Sequence, residues 1–247
     1  MSIVRAQRRA IAGVKESLRV FGGKLSGMDF SLSLAPDLVS YIRTLLRLLH
    51  FAGLVFGFGG AVFLDLLLAR YRRMVVTAEL VGNVGWISRF VATGLLMLWI
   101  SGIGFLLVYQ VAEPQKLMNP KIWAKVTIVA ILSINGLAIH RLVLPFLRQR
   151  IGHPLLSGVK GRTKAALIGC GVISAVSWTV PVVLGAAPQL NFVVPCAVIL
   201  ASYALVVVQA FLIATFVLRD TAGSEASPSD LSDSIEEQPM LHAAPAA

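Results

Sequence analysis

The chain has 247 residues, of which 57% are hydrophobic and only 14% are charged, and its mean hydropathy is +0.80. A water-soluble domain has too little interior to hide that much apolar surface, so most of this chain belongs in a lipid bilayer. The formal net charge of +10 comes largely from basic residues beside apolar segments, a pattern typical of membrane loops that does not imply a nucleic-acid partner.

The chain begins with a basic segment, residues 1–40, which carries six basic residues and one acidic residue in its first 27 positions. Apolar residues at helical spacing in this segment predict a short amphipathic helix. Its arginine-rich, acid-poor composition is also that of an organellar transit peptide. A true start at Met28 is the favoured alternative, because it leaves a short acidic N-terminus.

Five apolar runs follow, each long enough to cross the membrane, since a helix needs roughly 20 apolar residues to span about 30 Å of hydrocarbon. The runs lack the every-second-residue alternation of barrel strands, so they are predicted to be helices. The sequence therefore predicts an all-α integral membrane protein, a bundle of five transmembrane helices over residues 41–219. The predicted spans are 45–69, 87–111, 122–147, 165–186 and 192–218.

The last segment, residues 220–247, holds six of the twelve acidic residues and almost no large apolar ones. It cannot form a core and is predicted to be disordered. The two cysteines, Cys170 and Cys196, lie toward opposite ends of the antiparallel fourth and fifth spans. This spacing predicts neither a disulfide nor a metal site, but two small core residues.

Basic residues between the spans predict the orientation of the chain. The connections after spans one and three carry Arg70, Arg72, Arg73, Arg89, Arg141, Arg148, Arg150, Lys160, Arg162 and Lys164. Those after spans two and four carry only Lys116, Lys121 and Lys125. The bias places the first group in the cytoplasm, with the N-terminus outside and the C-terminus inside.

Four ionisable residues lie within or at the ends of spans one and three, where such groups are costly and therefore suggest a function. At about 1.5 Å of rise per residue, His50 and Lys125 fall at one level near the outer surface. Asp65 and His140 fall at another level near the inner surface. The two histidines are too far apart in depth to bind the two faces of one haem within one chain.

Three glycines share the face of span one that carries His50. From His50, the glycines Gly53, Gly57 and Gly60 follow at intervals of three, four and three residues. Small residues at this spacing allow another helix to approach closely, and this interpretation is favoured. The same groove also suits a flat macrocycle, with the His50 imidazole as axial ligand.

In that second interpretation, Arg47 and Lys125 pair with the propionates of haem b. For Asp65 and His140, the favoured interpretation is a structural polar pair in an interfacial ion-pair cluster that fixes spans one and three together. A proton path or a metal site through these two residues has weaker support, because no metal-ligand motif accompanies them.

The His50 and glycine pattern, with "NPKIWAKVTIVAILSIN" opening span three, resembles a loose superfamily of bacterial membrane proteins. It includes copper-resistance D-type proteins, HemJ-type protoporphyrinogen oxidases and uncharacterised families. The resemblance covers residues 45–145 and implies that His50 and Lys125 form the functional pair, linked to b-type haem. A bacterial inner membrane is the location implied by this resemblance. HemJ-type chains usually have four spans, so the fifth span and the acidic tail have no counterpart.

Three functions follow from these observations, and no residue is assigned a catalytic role. The first is b-type haem binding or a haem-linked redox role through His50, Lys125 and Arg47. The second is a permease for a small solute or metal ion along His50, Asp65 and His140, although the sequence shows no internal repeat or broken helix. The third is a structural or assembly subunit. The partners considered are the lipid bilayer and a second copy of the chain.

Overall fold

The computed structural model describes residues 36–71, 74–155, 158–159 and 161–220. Five helical segments within these residues are long and apolar enough to cross a membrane. The described residues contain no β-sheet, only two isolated backbone bridges near Val75 and Val76. The predicted class, an all-α bundle of five helices, is confirmed.

The segments are called the first to fifth spans, and each is built from one or two α-helices. Their bounds are Leu38–Tyr71, Ala78–Ala112, Pro120–Gln149, Gly161–Ala186 and Cys196–Leu218. The α-helices are α1 (Pro36–Leu54), α2 (Gly60–Tyr71), α3 (Ala78–Ala112), α4 (Pro120–Ala138), α5 (Leu144–Gln149), α6 (Gly161–Ala186) and α7 (Cys196–Asp220).

The second and third spans begin at side-chain caps. The hydroxyl of Thr77 accepts a hydrogen bond from the Leu80 amide at 3.1 Å, so α3 starts at Ala78 and not at the predicted 87. Asn119 caps α4 by accepting from the Lys121 amide at 3.1 Å, with Pro120 in the first turn. Capped polar turns thus extend these helices beyond the apolar stretch that marked them in the sequence.

Two spans contain a π-helical turn that sequence reasoning did not predict. The first joins α1 to α2 at Val55–Gly59, where two glycines lower the steric cost of widening the helix. The second joins α4 to α5 at Ile139–Val143, just before Pro145. Proline has no amide hydrogen and its ring clashes with the carbonyl four residues earlier, so a wider turn relieves the helix.

The third, fourth and fifth spans pack against one another, and the first span packs against the second. The two groups meet where α2 contacts α6 and where α3 contacts α5. Ala124 and Ile128 of the third span are completely buried in the core of the three-span group, together with Val176, Leu184, Ile199 and Tyr203. A second core forms where α3 contacts α5, and it consists of Val76, Leu80, Val81, Val84, Leu144 and Leu147.

The structure leaves part of the predicted domain organisation untested. The basic amphipathic helix, the alternative start at Met28 and the acidic tail lie outside the described residues. The described residues from Arg43 onward form one compact unit, and the site geometry below belongs to that unit. The fifth span begins at Cys196 and not at 192, because Phe192 adopts a left-handed backbone conformation and Pro195 precedes the helix.

Candidate functional site

The glycine face of the first span lies against the second span and Trp178. A Cβ at Gly53 would lie 3.0 Å from the Gly94 carbonyl oxygen, and one at Gly94 would overlap the Gly57 backbone. A Cβ at Gly57 would also overlap the Trp178 ring, and one at Gly60 would lie 2.9 Å from Val91. This is the close helix approach that small residues permit in membranes.

A macrocycle does not fit in this glycine groove, because the backbone of Gly94 and the ring of Trp178 fill it. Close packing of helices, the favoured interpretation of the glycine face, therefore accounts for Gly53, Gly57 and Gly60 without a bound group.

His50 turns its Nδ1 atom toward the second span, where it lies 2.9 Å from Ser101 Oγ. Ser101 is completely buried, and its hydroxyl donates to the carbonyl of Met97 at 2.8 Å. A hydroxyl has one hydrogen, so with that hydrogen on Met97 the imidazole is the donor and carries its proton on Nδ1. The Nε2 atom of the neutral ring is then left as an acceptor.

Lys125 lies close enough to His50 for its charge to act on the imidazole. Its ammonium group lies beside the fourth span, where a Cβ at Gly185 would be 3.7 Å from Nζ. Arg47 is exposed, and neither basic side chain has a hydrogen bond or ion pair among the described residues. The structure therefore brings His50 and Lys125 into one region, near the end of the bundle where the third span begins.

Asp65 and His140 border a cavity of about 450 Å³ between the first four spans. The two side chains form no ion pair with each other, and Asp65 forms none with any basic residue of the described part. His50 and Lys125 do not line this cavity. The four ionisable residues therefore belong to two separate regions of the bundle.

The cavity wall is mainly apolar, but several of its polar groups have no hydrogen-bond partner among the described residues. These are the Asp65 carboxylate, the His140 ring, the Ser174 hydroxyl and the buried Nε1–H of Trp178. Asn135 donates through Nδ2 to the Cys170 carbonyl at 2.9 Å, which leaves its Oδ1 atom as a further acceptor. Ser133, in contrast, is already used, because it accepts from Trp99 Nε1 at 3.0 Å.

A polar network at the start of the third span was missed by sequence reasoning. The buried Lys121 donates through Nζ to the Ala187 carbonyl at 2.6 Å and to Asn191 Oδ1 at 2.9 Å. Asn119 Oδ1 also accepts from the Phe192 amide at 3.3 Å. The network fixes the connection between the fourth and fifth spans, and nothing in the local sequence marks Lys121 as its centre.

Glu113, directly after the second span, forms ion pairs with Arg43 of the first span and with Lys116. The hydrogen bond from Lys116, followed by the charges of Lys116 and Arg43, holds the pKa of the Glu113 carboxyl below its usual range. Lys116 also lies over the Tyr109 ring, at 5.2 Å from its centroid. This cluster joins the ends of two spans and does not touch the cavity.

The fold and these regions define the class of the protein: a multi-pass membrane protein with five apolar helices and a cavity, bordered by a carboxylate, between the first four of them. No family model, curated protein or solved structure matches the chain. Among the described residues, no group of three or more histidine, cysteine, aspartate or glutamate side chains is arranged to hold a metal ion.

Proposed function

We propose that this protein is a permease for a small solute, with the cavity beside Asp65 as its binding site. The observation that carries the proposal is the cavity itself, because mainly apolar cavities with a few converging polar groups are the usual form of ligand sites. An ionisable side chain without a partner inside a membrane is costly, and such residues commonly mark solute pathways.

The two π-helical turns give this proposal a second line of support. Ile139 and His140, which begin the second turn, line the cavity, and the first turn places Gly57 against Trp178 of the cavity wall. π-helical turns inside α-helices occur frequently at functional sites, and both turns lie beside the cavity.

Access to the cavity from both sides of the membrane tests the permease. Cys170 lines the cavity and Cys196 does not, so the Cys196→Ser variant keeps one reporter thiol at the site. We expect a membrane-impermeant methanethiosulfonate to modify Cys170 from either side of proteoliposomes. Complete unfolding in SDS gives the reference for full labelling. Labelling from one side only, or from neither, would overturn the permease.

Haem b binding through His50 is a second proposal, as the resemblance implies. The observation in its favour is the Nδ1 hydrogen bond to Ser101, because ligating histidines usually anchor one ring nitrogen and present the other. The filled glycine groove argues against it. An absorption spectrum of purified protein expressed with ample haem decides: a Soret band lost in His50→Ala supports the proposal, and a colourless wild type rejects it.

We further propose that the protein lies in a bacterial plasma membrane with its C-terminal end in the cytoplasm. The support is the excess of basic residues in the connections after the first and third spans. A fluorescent-protein reporter inserted near residue 158 should be active in the cytoplasm, and a periplasmic phosphatase reporter inserted near residue 115 should be active outside. The opposite pattern would reverse the orientation.

A further inference from the structure

We propose that the cavity selects organic cations, that is, molecules with an apolar body and a single positively charged group. This inference rests on the proposed function, because it names the solute class of the same cavity. Three features of the cavity support it: its charge, its unpartnered hydrogen-bonding atoms and its apolar surface.

Charge is the first feature. Among the residues that the structure describes, Asp65 is the only acidic side chain in the cavity wall, and no lysine or arginine contributes to it. His140 is the only basic side chain in the described part of this wall; it is exposed and forms no ion pair with Asp65. The carboxylate is half-buried and lacks a cationic partner among the described residues, so a positively charged solute would supply the missing countercharge.

Hydrogen-bonding capacity is the second feature. The atoms without a partner include acceptors, the Asp65 carboxylate oxygens and Asn135 Oδ1, and donors, the buried Nε1–H of Trp178 and the second Nδ2 hydrogen of Asn135. Ser174 adds a hydroxyl that can accept as well as donate. A solute that donates hydrogen bonds, or carries diffuse positive charge, matches the Asp65 carboxylate oxygens and Asn135 Oδ1, whereas an anion would be repelled by the carboxylate.

The apolar surface is the third feature. Leucine, valine and isoleucine make up half of the residues that line the cavity, and the indole rings of Trp99 and Trp178 also contribute. Aromatic faces attract cations in addition to providing apolar contact. A small, strongly hydrated ion would lose its water without replacement on such a wall, whereas an organic cation keeps its apolar part in contact with it.

The experiment uses two probes of nearly equal size and shape but opposite charge, tetraphenylphosphonium and tetraphenylborate. In the full chain carrying Cys196→Ser, each probe is tested for protection of Cys170 against a small neutral thiol reagent. We expect tetraphenylphosphonium to give half-protection at a concentration at least about tenfold lower than tetraphenylborate. Equal protection by both probes, or better protection by the borate, would overturn the inference.

Charge variants test whether Asp65 causes this preference. Asp65→Asn should remove it, and Asp65→Glu, which keeps the charge, should retain most of it. Glu79→Gln is the matched control, because Glu79 is an exposed carboxylate at the start of α3 that does not line the cavity. An equal effect of Asp65→Asn and Glu79→Gln would reject Asp65 as the selecting group. The inference fails without the permease failing if Cys170 is accessible from both sides but shows no charge preference.

Discussion

The Nδ1 atom of His50 lies 2.9 Å from the hydroxyl oxygen of Ser101, so a histidine of the first span is bonded directly to the second. The contact lies one turn before the glycine face, and an edge-to-face contact with Phe105 supports the ring from the same span. His50 thus has a structural role in the packing of the first two spans, whether or not its Nε2 atom binds a further group.

A double-mutant cycle measures this contact. We expect His50→Ala and Ser101→Ala each to lower the free energy of unfolding in mixed micelles. The first change removes the imidazole from the Ser101 hydroxyl, which keeps only its bond within the second span, and the second leaves His50 Nδ1 without its partner. The coupling energy between the two changes should be about 0.6 kcal/mol and not above about 1.7 kcal/mol, the range found for hydrogen bonds between membrane helices. Strictly additive effects would mean that the hydrogen bond does not stabilise the protein.

The number and type of the helices could be predicted because membrane crossing imposes simple rules on a sequence. Each span needs a long apolar run with its backbone hydrogen bonds satisfied internally, so composition and length are sufficient to find it. Helix ends were less predictable. The caps at Thr77 and Asn119 lie outside the apolar runs, and hydropathy does not register them.

The sequence predicted the candidate site only in part. Counting residues along a helix gives depth, and this brought His50 and Lys125 to one level. Depth does not give the direction in which a side chain points, so it could not show that Asp65 and His140 would border a cavity without forming an ion pair. Nor could it find Ser101, since one serine in an apolar helix has no distinguishing pattern.

Because Gly94 lies so close to Gly57, a single added methyl group at Gly94 should lower the stability of the protein markedly. Gly94→Ala should lower the free energy of unfolding by roughly 1–3 kcal/mol, because its Cβ would meet backbone atoms that cannot move aside. Gly102→Ala is the matched control in the same span, since its Cβ would have no atom within 4 Å. Chemical unfolding in mixed micelles measures both, and equal effects would contradict the close packing.

The ion pairs of Glu113 predict a specific dependence of stability on pH. A carboxyl whose pKa is lowered by folding stabilises the protein above its ordinary pKa of 4.5, and this contribution is lost as the pH falls through the lowered value. Below pH 4.5, the melting temperature of the wild type should therefore decrease more steeply than that of Glu113→Gln. Glu79→Gln controls for the loss of one negative charge. If the melting temperature of Glu113→Gln decreased more steeply than that of the wild type, the ionised Glu113 carboxyl would not stabilise the folded protein.

Lys121 provides the last prediction, because its ammonium group holds the connection between the fourth and fifth spans at Ala187 and Asn191. Lys121→Met removes both charge-assisted hydrogen bonds, each worth roughly 1.5–3 kcal/mol, and leaves the Ala187 carbonyl with only the Leu190 amide as donor, at 3.3 Å. We expect the amides of residues 190–192 to exchange with deuterium at least about tenfold faster. Lys125→Met is the matched control, since Lys125 has no hydrogen bond among the described residues. Equal exchange in the two variants would show that the connection is held by its own turns and not by Lys121.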